Sequence, residues 1–269
     1  MNNRSTKKYF SIAIGNIGIE LTSNSPKLIR GIRDRYHDFP ICSTPHLKAH
    51  IDIVGDQRDS PLLDTGSEFS GDLLYFTAPG YHGDINVAEG TAHLTLSSRY
   101  PVEDTDYFVR FLYALLAFRE GGLLFHAAGI VRRGLAYLFT GQSGSGKTTV
   151  SRLSPSDIVL NDDLVLILPQ SDCWQVYGTP FWNPTQIRPS SKSAPLEKIF
   201  RLVQDKEVFT KVLTPSQALA ELIANVPVIP KDPIRSQTLI NLLLKLQKTI
   251  PVYALHFLPD DSFWEVVNG

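Results

Sequence analysis

The run Gly141-Gln142-Ser143-Gly144-Ser145-Gly146-Lys147-Thr148, with Thr149 behind it, fits the pattern G-x-x-x-x-G-K-[ST] at every position. Such a run demands a buried strand entering it and a helix leaving it. Three glycines let successive backbone N–H groups turn inward around a phosphate, Lys147 adds a mobile positive charge, and Thr148 adds a hydroxyl for Mg²⁺. Both flanks comply: Leu135-Ala136-Tyr137-Leu138-Phe139 reads as a buried strand, and Lys147 to Leu153 continues as a helix whose N-terminus faces the anion. A plain Gly/Ser turn would account for the glycines but not for these flanks. The implied ligand is a nucleoside triphosphate held by Gly141, Ser143, Gly144, Ser145, Gly146, Lys147, Thr148 and Thr149.

The rest of the composition narrows the setting. A chain of 269 residues, 43% hydrophobic and 20% charged, can bury a full core as one large domain or two modest ones. A formal net charge of -1 gives no overall field for nucleic acid or an anionic membrane, so neither is an expected partner and an anionic ligand must be met locally. Cys42 and Cys173 stand far apart in no metal or redox spacing, which points to a reducing cytoplasm. Arg4, Lys7 and Lys8 before the apolar Tyr9 to Ile14 suggest a secretion signal, but Gly15, Asn16 and Glu20 break the run and a first β-strand is the expectation. Tyr107 to Phe118, interrupted by Arg110 and closed by Gly121-Gly122, is too short for a bilayer and is expected as a core helix.

Periodicity divides the chain into an N-terminal α+β lobe, 1–104, and a catalytic domain, 105–269. In the first, Tyr9 to Thr22 predict strands, Ser23 to Pro26 cap a short helix through Tyr36, and His50 to Val54 alternate as a strand. A polar loop is expected from Gly55 to Gly71, then Leu73 to Phe76, and a hairpin turning at Glu89-Gly90, giving a mostly antiparallel unit. In the second, one strand is expected over Leu123 to Ile130, the loop strand follows, and Ile158 to Leu160 delivers Asn161-Asp162-Asp163 before a strand from Leu164 to Leu168. Gly178 to Trp182 form a turn, helices start at Thr214-Pro215 and Asp232-Pro233, and Val252 to Phe257 close as a strand before a short helix.

Phosphoryl transfer needs phosphate charge neutralised, a metal bridging the phosphates, and a group to orient or deprotonate the acceptor. Lys147, Thr148 and the two aspartates fifteen and sixteen residues after Lys147 supply these parts. Adjacent residues at a strand end point apart, so one aspartate faces the Mg²⁺ while the other faces an acceptor hydroxyl. An Asn-Asp-Asp turn with no further duty is the plainer alternative. His126 lies in the apolar run Leu124-Phe125-His126-Ala127-Ala128; periodicity alone leaves it a hydrogen-bonded core histidine or a site residue.

His126, the Gly141 to Thr149 loop and Asp162-Asp163 occur in the order and approximate spacing of the C-terminal domain of HPr serine kinase/phosphorylase, which the second lobe resembles over about Leu123 to Leu168. Related kinase-like proteins accompany peptide-modification clusters, and the group has a distant fold similarity to ATP-dependent phosphoenolpyruvate carboxykinase. Phe200 to Leu213 and Val252 to Val267 look like the lasso-peptide-cluster members. The resemblance implies an α/β kinase core, ATP and Mg²⁺, His126 at the active site, Lys147 on phosphate and Asp162 as base toward a serine hydroxyl, which leaves Asp163 to join Thr148 at the metal. It also implies a homo-oligomer, since family kinases are often hexamers. The helix after the loop is shortened by Ser154-Pro155. The phosphorylase segment of the bifunctional enzymes has its nearest candidate in Pro227 to Ser236, where Arg235 reaches a phosphate or caps a solvated helix. Reverse phosphorolysis is therefore not expected, and the short N-terminal lobe argues against a carrier-protein substrate.

Three readings follow. The first is a kinase acting on a serine of a ribosomally made peptide such as a lasso-peptide precursor; the second is a small-molecule kinase acting on free serine or a metabolite; the third is a nucleotide-binding module without turnover.

Overall fold

The computed structural model describes residues 9–58, 66–182, 187–227 and 233–267. The chain divides into two compact units, Met1–Leu116 and Ala117–Gly269.

The first unit carries β1 (Tyr9–Ile14), β2 (Ile17–Ser23), α1 (Pro26–Arg35), β3 (Leu47–Arg58), β4 (Gly66–Ser70), β5 (Leu73–Ala78), β6 (Tyr81–Asn86), β7 (Thr91–Ser98) and most of α2 (Pro101–Arg119). One seven-stranded sheet runs β1-β2-β3-β7-β6-β5-β4. Four of its pairs are antiparallel, as the short turns require, but β2/β3 and β3/β7 are parallel. The helix α1 supplies the crossover for the first of these, because parallel neighbours cannot be joined by a tight turn. Ser25 caps α1, its hydroxyl accepting from the Leu28 N–H at 3.3 Å, with Pro26 behind it. Alternation then decides the faces: Ala92, Leu94 and Leu96 of β7 are buried, while Thr91 and His93 are exposed. The polar segment expected as a loop from Gly55 to Gly71 is strand at both ends, with 59–65 outside the described residues. Pairing with neighbouring strands satisfies that backbone whatever the side chains, so polarity alone misled.

The second unit carries β8 (Leu123–His126), β9 (Ala128–Arg132), β10 (Leu135–Thr140), α3 (Lys147–Arg152), β11 (Ile158–Asn161), β12 (Leu164–Pro169), β13 (Trp174–Gly178), β14 (Ser193–Gln204), β15 (Phe209–Val212), α4 (Pro215–Ala224), α5 (Pro233–Thr249), β16 (Val252–Phe257) and α6 (Phe263–Val267). With its mixed sheets and helices the chain is α/β. The nine strands form one sheet in which β14 is the shared member: its first residues pair with β13, and the rest lie parallel to both β10 and β16. These three parallel strands are apolar on both faces. Leu138, Ile199 and Ala254 join a core with Leu222 of α4 and Leu243 of α5; Phe139, Phe200 and Leu255 join a second core with Val150 of α3 and Phe263 and Trp264 of α6. The single strand expected over Leu123 to Ile130 is two. At Ala127 the chain leaves β12, its N–H donating to the Asp163 carbonyl, and changes partners to β10 and β11. The helix expected from Asp232 starts, among the described residues, at Pro233 and runs on to Thr249, and part of the Pro227 to Ser236 segment lies outside them. No helix among the described residues is long and apolar enough to cross a membrane.

Asp106 of α2 is 1% exposed and gathers four hydrogen bonds: Arg35 Nε at 2.8 Å, the Tyr36 hydroxyl at 2.6 Å, and Arg110 through Nε at 3.0 Å and Nη2 at 2.8 Å. The carboxylate thus joins α1 to α2 inside the first unit, and removing one member of a buried charge network costs more than the network contributes. Asp106→Ala should lower the unfolding free energy by about 3–5 kcal/mol, read from urea denaturation of the first unit's transition. A loss below about 1 kcal/mol, the range of surface pairs, would show that the network is peripheral to stability.

Candidate active site

The phosphate-loop motif lies between β10 and α3, with Gly141, Gly144 and Gly146 at φ of 142°, 81° and 111°, a region L-side chains avoid. A Cβ at Gly146 would stand 2.6 Å from Phe257 Cζ, and one at Gly141 2.6 Å from Ser145 Oγ. The glycines are thus required by backbone conformation and by what packs beneath them. The loop is braced internally by the Ser145 N–H on the Gln142 carbonyl at 3.0 Å and from β14 by Gln204 Nε2 on the Gly144 carbonyl at 2.9 Å. Lys147 folds back over the loop, donating to the carbonyls of Gly141 at 2.6 Å and Gln142 at 3.3 Å. Since α3 has only six residues, its macrodipole is small, and loop amides and Lys147 carry the positive character.

The two aspartates are set by the residue before them. Asn161 has no exposed surface; its Oδ1 accepts from the N–H groups of Asp163 at 2.7 Å and Leu164 at 3.0 Å. Its Nδ2 donates to the Thr179 carbonyl at 2.9 Å and the Phe181 carbonyl at 3.1 Å, and the Thr179 hydroxyl donates to the Leu164 carbonyl at 2.7 Å. The turn from β11 to β12 is therefore locked to the Gly178–Phe181 segment.

Asp162 and Asp163 then differ sharply in setting. Asp162 is 1% exposed and neither carboxyl oxygen has a full hydrogen-bond partner. Burial pushes its pKa above the usual carboxylate range and the charge on Asp163 adds to this, while the nearby Thr148 hydroxyl opposes it. The Asp163 side chain is about a quarter exposed, with Oδ1 3.6 Å from His126 Nδ1. His126 itself is held by its N–H on the Asn225 carbonyl at 2.8 Å and by pairing opposite Leu164.

All the candidates line one cavity of about 1060 Å³: His126, Gly141, Ser143, Gly144, Ser145, Gly146, Lys147, Thr148, Thr149, Asp162 and Asp163. Burial lowers the Lys147 pKa, and Asp163, Asp162 and Glu221 oppose that shift, so the ammonium sits in an acid-lined pocket short of water. The cavity wall also holds residues that sequence reasoning missed, chiefly Arg201, Gln204, Glu221 and Asn225. Glu221 Oε1 accepts from the Thr140 hydroxyl at 2.7 Å and from Asn225 Nδ2 at 2.9 Å, tying α4 to the residue that enters the loop. Their spacing of four, with Asn225 one residue past the expected end of the helix at about Ala224, was the available signal, since residues so spaced share a face. Arg201 gave a weaker one, as a charge inside the apolar run Ile199-Phe200-Arg201-Leu202-Val203.

No curated protein matches the chain. Among solved structures, one described as the Hpr(Ser) kinase/phosphatase from Coxiella burnetii is similar at 14% identity, over 46% of this chain and 89% of that one, with a TM-score of 0.27. A likeness that distant does not superpose one site on the other. The model of the family described as SynChlorMet cassette protein ScmC matches residues 108–269, more than half of the chain and the whole of the cavity wall. The chain belongs to the SynChlorMet cassette protein ScmC family.

Proposed function

We propose that this chain is an ATP- and Mg²⁺-dependent phosphotransferase whose acceptor is a serine hydroxyl of a ribosomally made peptide, a lasso-peptide precursor. The observation that carries the phosphotransferase reading is a buried carboxyl, Asp162, with both oxygens unpartnered, beside a positive-φ glycine loop and Lys147 in one cavity. Buried polar groups are otherwise almost always satisfied, so orphaned oxygens beside a glycine loop point to a cationic ligand. The peptide acceptor rests on the resemblance carried by His126, the loop and the aspartate pair.

The donor residues fit Mg²⁺. Thr148 and one aspartate would supply two hard oxygens to such an ion, a donor set that suits Mg²⁺. Bound there, Mg²⁺ supplies positive charge to the β- and γ-phosphates. In the reaction, the acceptor oxygen bonds to the γ-phosphorus, the bond from that phosphorus to the β-bridging oxygen breaks, and the diphosphate leaves with the electron pair. An aspartate takes the hydroxyl proton and passes it to solvent. Lys147 exchanges the carbonyls of Gly141 and Gln142 for phosphate oxygens, trading neutral acceptors for charged ones. His126 flanks Asp163 and orients it.

The two aspartates divide the remaining work. The resemblance makes Asp162 the base and Asp163 the metal group. The geometry favours the exchange of these roles as a second reading: Asp162 lies buried beside the Thr148 hydroxyl, whereas Asp163 is exposed to the cavity beside His126. A base must reach its proton.

Lys147→Ala should abolish most turnover and weaken ATP binding with little change in the folded signal, since the lysine contacts only loop carbonyls; near-normal turnover would refute its role. A purified enzyme, ATP and a serine-ended precursor peptide should yield a gain of about 80 Da on the peptide, one phosphoryl unit. Modification of free serine alone would remove the peptide acceptor, and ATP binding with neither product would leave a binding module.

Replacing either aspartate by asparagine separates base from metal group. The base variant should lose roughly 10²–10⁴-fold in turnover without rescue, while the metal variant should regain part of its rate as Mg²⁺ rises. Asp162→Asn should also melt at or above the wild-type temperature at neutral pH when no ligand is present. Its carboxyl is raised in the folded state, so the charged form destabilises the fold above the folded pKa, and that penalty fades as pH falls through it. The difference between variant and wild type should therefore shrink on acidification, measured by thermal melts; a variant less stable at pH 7 than at pH 5 relative to wild type would contradict the burial argument.

A further inference from the structure

Arg201 stands in β14 directly opposite Thr140, the last residue before the phosphate loop, and lines the same cavity. Its Nε is buried without a hydrogen-bond partner, and among the described residues its guanidinium makes no ion pair and no side-chain hydrogen bond. Arg201 as a whole is half-buried, with Nε the atom closed to solvent; a guanidinium cannot shed its charge, so a partly desolvated one gains from an anionic ligand. A carboxylate on the same wall, Glu221, is engaged through Oε1 by Thr140 and Asn225. Those two donors are neutral, so Glu221 keeps its negative charge on the wall, but among the described residues it forms no ion pair with Arg201 and leaves the guanidinium available to a ligand.

Its position fixes which anion it meets. The same cavity wall holds, first, the loop with Lys147 and, second, linked through Glu221 and Asn225, the residues His126 and Asp163. The group that travels from the first to the second in the proposed reaction is the terminal phosphoryl. We propose that Arg201 binds the terminal phosphoryl group of the nucleoside triphosphate, so that the site distinguishes a triphosphate from a diphosphate. This rests on the phosphotransferase reading above. The planar fork of a guanidinium suits two phosphate oxygens at once, which a lysine in its place would not reproduce.

The test is calorimetric binding of a non-hydrolysable ATP analogue and of ADP, each with Mg²⁺ and without acceptor, to wild type, Arg201→Gln, Arg201→Lys and Lys147→Ala. Arg201→Gln should weaken the triphosphate analogue about tenfold or more and ADP by less than about twofold. Arg201→Lys should fall between, keeping charge without the fork, and it serves as the second variant should the glutamine disturb folding. Equal weakening of both nucleotides, or of neither, would overturn the assignment. If Lys147→Ala also binds both normally, the nucleotide reading itself fails; if Lys147→Ala weakens both while Arg201→Gln weakens neither, only the role of Arg201 is lost.

Discussion

The carboxamide of Asn161 holds together everything that the cavity needs. Two peptide N–H groups reach its oxygen and two carbonyls receive its nitrogen, around a side chain with no exposed surface. The orientation has no alternative, because exchanging oxygen and nitrogen would set the amide oxygen against two carbonyls and its N–H groups against two peptide N–H groups. A buried polar node satisfied at both ends behaves as a rigid joint. What it joins are the end of β11, the start of β12 and the turn after β13, and the two residues carried on that joint are Asp162 and Asp163. An aspartate at position 161 would keep the acceptor and lose the donor, leaving the carbonyls of Thr179 and Phe181 facing a carboxylate.

Around that joint the molecule tolerates a set of local costs. Three glycines adopt positive φ, a carboxyl is buried without partners, and an arginine nitrogen is buried likewise. None of these would persist in a loosely packed frame. The frame is the trio β10, β14 and β16, apolar on both faces and flanked by two cores. Phe139 and Phe200 stack at 5.6 Å, and Phe263 meets Phe139 edge-on at 5.9 Å. Phe257 closes β16 directly beneath Gly146, so one aromatic residue both ends a core strand and supports the phosphate loop. Packing and site geometry are therefore the same contacts seen from two sides.

The parts of this arrangement that were legible in the sequence are those with local causes. Gly141 to Thr148 announce themselves by spacing, Ser25 and Thr214 by the proline that follows each cap, and β7 by its alternation. What stayed hidden depends on distant partners. Ser193–Gln204 carries Pro195, Glu197, Lys198 and Arg201 among its apolar residues, so it does not read as a central strand, yet it becomes one because β10 and β16 come to either side. The break at Ala127 is likewise set by the carbonyl of Asp163, which no local pattern signals. Glu221 was visible as a helix residue but not as a wall residue, because the side of α4 that meets the cavity is chosen by where Leu222 and Ala218 are buried.

The adjacent aspartates show how far one peptide unit can separate two chemically identical groups. A strand-end turn sends neighbouring side chains apart, and here both carboxyls line the cavity, Asp162 almost wholly buried in its wall and Asp163 about a quarter exposed. Environment then divides their chemistry. A carboxyl short of water is a stronger base and also a group that gains most from a nearby cation, because the same desolvation that raises its pKa strengthens any charge it pairs with. Basicity alone therefore cannot assign the roles. Exposure differs as well: the buried carboxyl neighbours the Thr148 hydroxyl, and the more exposed one has an imidazole at 3.6 Å. Pairs of titratable groups held in contrasting surroundings are how one fold runs two proton tasks at a single pH. In this chain the contrast is produced by Asn161, which fixes the direction of both.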